Sequence, residues 1–387
     1  VGGNDFQLGF HRTVSGYNMI WDHSLLYNWQ ADLSSDWRLN VDAGLNSQDR
    51  SYEQTGQRST QQLVYGLFDH DNFVIHDNNT EDGGRIDFKS RFLSLGAFAQ
   101  GLLSYKEYLF FTVGGRNSWS SNLEQANRSI FYPSFSGSFI PTAAFESLQN
   151  NNVLNYLKLR AGYSTSANFG SPYNTRPILS INTNQFVDRG SNIYNSNSIS
   201  NRLPNPNLRP ELLQEFEVGF EGKLFNNRMN VDFTYYNRNS KDQILSRELD
   251  PSTGFTVTSI NAGSVRNKGI ELQLGYNVIR NKDWNWQVDV NYFQNRNKVS
   301  LPSDIKQIVI DGFSNEGLFA IDGYPLGVIQ GSYSLRDTGS TKVNATPTGK
   351  RIVDNNGNYV SSNQLGIVGD PNPDFKLTGI STLSYKG

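Results

Sequence analysis

Residues 229–237 read MNVDFTYYN, and their alternation decides the fold. At period two, Met229, Val231, Phe233 and Tyr235 share one face, and Asn230, Asp232, Thr234 and Tyr236 share the other. That pattern is a strand with one wet face. It recurs in Ile270, Leu272, Leu274, Tyr276 and Val278, set against Glu271, Gln273, Gly275 and Asn277. It returns from Trp284 to Val290 against Asn285, Gln287 and Asp289, and in Trp37, Leu39, Val41, Ala43 and Leu45 with Arg38, Asn40 and Asp42 between them.

Working outward, less regular strands fall near 20–33, 88–104, 108–117, 131–140, 154–164, 211–223 and 375–386, about eleven strands in all. Only Thr142 to Leu148 has room for a turn or two of helix. Short turns at Ser34 to Asp36, around Lys106, at Phe225 to Arg228 and at Asn281 to Asp283 carry Asn and Asp, which tolerate the positive φ of tight hairpins. Between them lie long connections near 50–85, 166–210, 244–264 and 300–374. Strict sorting by length is the habit of outer-membrane barrels, with short turns inside and long loops outside. A soluble two-sheet lectin or adhesin with the same alternation stays open at this point. Trp21, Trp29, Trp37, Tyr105, Tyr108, Trp284, Trp286 and Tyr292 fall near strand ends, where a ring can meet lipid tails and headgroups together.

A chain of 387 residues suits several domains or one large all-β domain. With 36% hydrophobic and 13% aromatic residues it has the apolar content to order itself. No apolar run approaches the roughly 18 residues of a spanning helix, whereas barrel strands expose only every second residue to lipid. The 34 basic and 36 acidic residues are unclustered, which removes the electrostatic case for nucleic acid. Without Cys there is no disulfide, thiolate metal site or Cys nucleophile. The opening VGGNDFQLGF has neither a basic n-region nor an apolar h-region, so a processed or missing start is expected.

Several stretches resemble the C-terminal half of the barrel in SusC/RagA-type TonB-dependent outer-membrane transporters. NPNLRPELLQEFEVGFEGKLFNNRMNVDFTYYNRNSKDQI (205–244) is similar to that family's entry motif, strand, F-x-N-R turn and returning strand. INAGSVRNKGIELQLGYNVI (260–279) resembles the next strand of the family's barrel, and YPLGVIQG (324–331) with GDPNPDF (369–375) resembles the loop beyond it. Upstream, LGAFAQGLLSYKEYLFFTVGGRNSWSSN (95–122), YPSFSGSF (132–139) and LKLRAGYSTSANFG (157–170) are similar to earlier strands, so the likeness covers roughly 90–387.

The resemblance implies an all-β, antiparallel transmembrane barrel of about 22 strands around a plug. Eleven strands make half of it, so 1–387 is expected to be one partial barrel domain without its plug, from an outer membrane of Bacteroidetes type. It also implies import of large nutrients, glycans or peptides, under a SusD-like lipoprotein lid and driven by a TonB complex acting through the plug. A self-contained surface protein that binds glycans without transport is the alternative.

Within that reading, Asn230, Asp232, Gln273, Asn285, Gln287 and Asp289 line a wet lumen, and Tyr173, Phe186, Tyr194 and Phe313 are loop aromatics placed to stack on sugars or to pack within their loops. Specific substrate-binding residues are not identified. Asp354 to Asn358 (DNNGN) begins like a Ca²⁺ loop but has Leu365 at the twelfth position and Gly fourth, so an Asn/Gly turn is expected and no metal or cofactor. His11, His23, His70 and His76 have no metal-ligand spacing, and no catalytic motif occurs, so the chain is read as a non-enzyme.

Overall fold

The computed structural model describes residues 10–78, 85–148, 152–187, 192–312, 316–337, 349–362 and 364–386. Eleven strands form one antiparallel sheet, each paired with its sequence neighbours in the wall. They are β1 (Phe10–Asp32), β2 (Trp37–Gln62), β3 (Phe88–Tyr105), β4 (Leu109–Ser120), β5 (Ser129–Phe139) and β6 (Leu154–Asn168). Then come β7 (Glu211–Leu224), β8 (Met229–Lys241), β9 (Ser264–Arg280), β10 (Trp284–Ser300) and β11 (Lys376–Tyr385). The wall is an open arc in which β1 and β11 each have one neighbour.

Register follows from the alternation. Trp37, Tyr105, Leu109, Phe139, Leu159, Phe220, Phe233, Leu272, Tyr292 and Leu377 are successive cross-strand partners from β2 to β11. A one-residue slip would turn every one of these side chains to the wrong face. One row away, Lys158, Glu221, Asp232, Gln273, Asn291 and Thr378 pair across β6 to β11 on the opposite side. An apolar row of that length with no second layer over it is a lipid-facing surface, and the polar side is the lumen. The ring chain Trp37–Tyr105–Tyr108–Phe139–Phe145, with centroids 4.6–6.2 Å apart, belts the short-turn end, and Trp284 meets Tyr385 at 4.5 Å there.

The turns at that end are chemically tight. Lys106 and Glu107 take φ of 46° and 59°, and Phe225, Asn226 and Asn227 take 57°, 56° and 59°. Ser34 Oγ accepts the Asp36 and Trp37 N–H groups, and Asn281 Oδ1 accepts those of Asp283 and Trp284. Pro141–Ala144 form one helical turn, followed by a short 3-10 turn at Glu146–Leu148, in the stretch expected to bend that way.

At the other end the strands outrun the alternation. β2 was expected to stop near 45 and runs to Gln62, where Phe73–Asp77 pairs with its tip. β1, β9 and β10 likewise start earlier or end later than the alternation does. Above the bilayer both faces of a strand are wet, so the alternating signal vanishes while the ladder continues. The long connections hold small sheets of their own. One joins Arg202–Leu203, Val257–Asn261 and Ile244–Glu248; another joins Gln307–Gly312, Gly317–Ile321, Val328–Gly331 and Gly366–Gly369. The latter packs Phe319, Ile321, Val328 and Ile367 into a closed core, and Val265, Val299 and Ala320 fix it to the tips of β9 and β10. A single-layer wall has no inside of its own, so fully buried apolar side chains gather under the loops.

Candidate functional site

The lumenal face is organised around Arg160 on β6. Its guanidinium donates to Glu221 Oε1 at 3.0 Å on β7, to Asp232 Oδ1 at 2.7 Å on β8 and to Thr234 Oγ1. Glu217 stands 3.7 Å from its Nε, and Lys158 is 3.7 Å from Glu221. The register places these residues on neighbouring rows, so three strands are tied by one planar cation. Higher up, Arg238 makes a two-point contact with Glu215 at 3.1 Å, and Tyr236 donates to Asn295, which donates to Asn267. Glu271 has no hydrogen-bond or ion-pair partner among the described residues.

Of the lumenal residues expected from sequence, Asn230, Asp232, Gln273 and Asp289 share one recess of about 560 Å³. Gln287 donates to both oxygens of Asp289 at 2.9 Å. Asn285 lies apart, at the turn end opposite Arg280 and Ser384. Sequence reasoning found Asp232 but missed Arg160 and its partners Glu217 and Glu221, although the signal was present. Lys158 and Arg160 alternate with Leu157 and Leu159, and Glu215, Glu217 and Glu221 keep the same parity between Phe216, Val218 and Phe220.

The loop aromatic Tyr173, at φ 68°, accepts the Arg91 N–H at 3.1 Å and so pins its loop to β3. Phe313 lies outside the described residues, as do the side chains of Phe186 and Tyr194. The same loop is clasped to the β4–β5 connection. Arg176 donates twice to Glu124 at 2.8 and 3.0 Å, Thr175 donates to it at 3.0 Å, and Asn122 donates to the Gly170 carbonyl at 2.6 Å. Hydrogen bonds from Arg176 first, then Thr175, hold the Glu124 carboxyl below the usual carboxylate range.

Asp354 to Asn358 form the expected turn: Asp354 Oδ1 accepts the N–H groups of Asn356 and Asn358, with Gly357 at φ 81°. Three of the four histidines meet at the strand tips. His70 and His76 each place Nδ1 2.7 Å from Ser59 Oγ, His70 Nε2 lies 2.8 Å from Thr13, and the His11 ring centroid is 4.4 Å from that of His70. Ser59 is fully buried, so its bonds to His70 and His76 tie the strand tip to the segment that follows it.

An antiparallel wall with one apolar, ring-belted face, one charged and amide-rich face, and its longest loops all at one end defines an outer-membrane β-barrel. The family model described as "TonB dependent receptor-like, beta-barrel" matches residues 2–386, and the chain belongs to that family. The family is one of receptors and transporters, not enzymes, and its place is the outer membrane.

Among relatives, TonB-dependent receptor P26 of Formosa agariphila is 25% identical over 383 residues, which are 95% of this chain and 38% of that protein. TonB-dependent receptor SusC of Bacteroides thetaiotaomicron is 27% identical over 299 residues, 74% of this chain and 29% of SusC. The solved RagAB peptide transporter matches 97% of this chain and 40% of its own with a TM-score of 0.75 at 20% identity, a likeness of fold. The chain thus spans less than two fifths of the curated relatives it matches. The barrel wall displaces the soluble two-sheet sandwich considered from sequence.

Proposed function

We propose that the full-length protein imports large polar nutrients across the outer membrane, with 1–387 supplying one contiguous part of its barrel domain and the plug lying elsewhere in the polypeptide. The observation that carries this reading is the continuous polar face across β6 to β11, where Lys158, Glu221, Asp232, Gln273 and Asn291 offer donors and acceptors at one height, with Arg160 on the neighbouring row. Such a face can exchange hydrogen bonds with a passing glycan or peptide without trapping it. The named relatives support TonB-driven import. SusC and RagAB further support a SusD-like lipoprotein as the lid over the loops, with TonB acting through the plug.

The test is uptake of labelled oligosaccharide and oligopeptide pools by cells carrying the full-length receptor, with and without a working TonB complex. Uptake that requires both receptor and TonB supports the proposal. Uptake that survives loss of TonB overturns it. A pool that competes for transport identifies the substrate class, and co-purification with a surface lipoprotein tests the lid.

A further inference from the structure

On β3 three successive outward-facing positions carry almost no side chain: Ala97, Ala99 and Gly101. Their cross-strand neighbour Ala43 on β2 is equally small, and on β4 the place of a side chain at Gly115 is taken by the Phe131 ring, which walls that side. A Cβ added at Gly101 would meet nothing within 4 Å. Large side chains stand on either side, Leu25 and Tyr27 towards β1, Trp119 and Phe131 towards β5. The result is a trough running along β3 on the lipid side. Its two depressions, about 790 and 490 Å³, share Leu25, Leu45 and Ala97 and so are continuous. Each lies in the range of ligand clefts, roughly 300–1,000 Å³.

The chemistry changes at the extracellular end of the trough, where the lining becomes His23, Ser47, Ser121 and Arg128. His23 shares its face with Trp21, and the two rings stack at 6.3 Å. Trp at that level marks the membrane interface. Among the described residues neither the His23 ring nor the Arg128 guanidinium has a hydrogen-bond or ion-pair partner. A guanidinium at the edge of a hydrocarbon band, without a counter-ion among the described residues, attracts an anion from the membrane surface.

We propose that this trough is a lipid-binding site that takes one acyl chain of a phosphate-bearing lipid of the outer leaflet, with the phosphate at Arg128 and His23. The small residues of β3 admit the chain below the level of the surrounding rings. Leu93 and Leu95, further along the same face of β3, form the floor of its upper part, and Arg128 selects the headgroup. A lipid so placed lies against the strands whose tips carry the loop clasp of Glu124 and Arg176.

The test uses the full-length receptor, reconstituted in vesicles of equal phosphatidylglycerol and phosphatidylcholine, extracted in mild detergent and weighed by native mass spectrometry. The wild type should retain the anionic lipid about fivefold over the neutral one, the effect of one cation at a membrane surface. Arg128→Gln should bring that ratio to about one, and Ala99→Phe, which fills the trough, should lower retention of both lipids. A wild-type ratio near one, or a preference untouched by both substitutions, marks the retained lipid as non-specific and overturns the site. Arg128 sits in an exposed connection, so Arg128→Gln alone decides the matter if Ala99→Phe lacks the heat-modifiable mobility of a folded barrel.

Discussion

Arg160 shows what one side chain can do in a wall that lacks a core. Its guanidinium is a quarter exposed and gathers carboxylates from β7 and β8 that would otherwise repel each other across adjacent strands. Arg160→Gln therefore leaves like charges facing one another. The expected cost is about 1–2 kcal/mol, between the values for exposed and for buried ion pairs. Thermal unfolding of the full-length receptor in detergent, followed by its heat-modifiable mobility, reads that loss; an unchanged midpoint would make the cluster mere wall decoration. Asn227 makes the same argument for the backbone. At φ 59° it occupies the left-handed region, which costs an ordinary L-residue roughly 1–2 kcal/mol and a β-branched one more. Asn227→Val should slow refolding and lower stability, whereas Asn227→Gly should be tolerated. Equal behaviour of the two variants would remove the conformational explanation.

Elements were legible where one face touched lipid and illegible where neither did. Met229 to Tyr236 betrays its strand because Val231 and Phe233 alternate with Asp232 and Thr234. Ser47 to Gln62 hides the upper part of β2 because both faces are polar. The histidine cluster was invisible for another reason: His11 reaches His70 only through the pairing of β1 with β2, which no local spacing encodes. The charged lumenal residues could have been read from the parity of Glu215, Glu217 and Glu221, yet that Glu217 and Glu221 meet Arg160 while Glu215 meets Arg238 needed the register. Between elements, the clasp of Glu124 on Arg176 and Thr175 carries a pH signature. Because the folded carboxyl titrates below its unfolded value, the clasp's contribution is present above about pH 4.3 and is lost as pH falls through the lower, folded value. Amide protection at Asn205, whose N–H donates to the Asn174 carbonyl beside the clasp, should persist from neutral to mildly acidic pH once intrinsic exchange is corrected for, and fall only in strong acid. Arg176→Gln should give fast exchange already at neutral pH, and a clasp insensitive to both changes would show that other contacts hold the loop.

Across the whole molecule, the wall is a ladder built in two environments. On β1 the outward positions from Ala31 up to Trp21 cover about 11 residues, the length of one tilted crossing. The stretch from Ile20 to Phe10 pairs with β2 above that level. The hydrogen bonds below are shielded by hydrocarbon, and those above by nothing but their own neighbours. A single unbroken pair of strands should therefore exchange its amide protons in two populations, slow below Trp21 and faster above it, with the step falling inside the element. A uniform rate along β1 would place the bilayer elsewhere. Such a step acts as a depth gauge written into the chain: it reports how far the receptor stands out of the membrane from within one strand, without reference to any lipid marker.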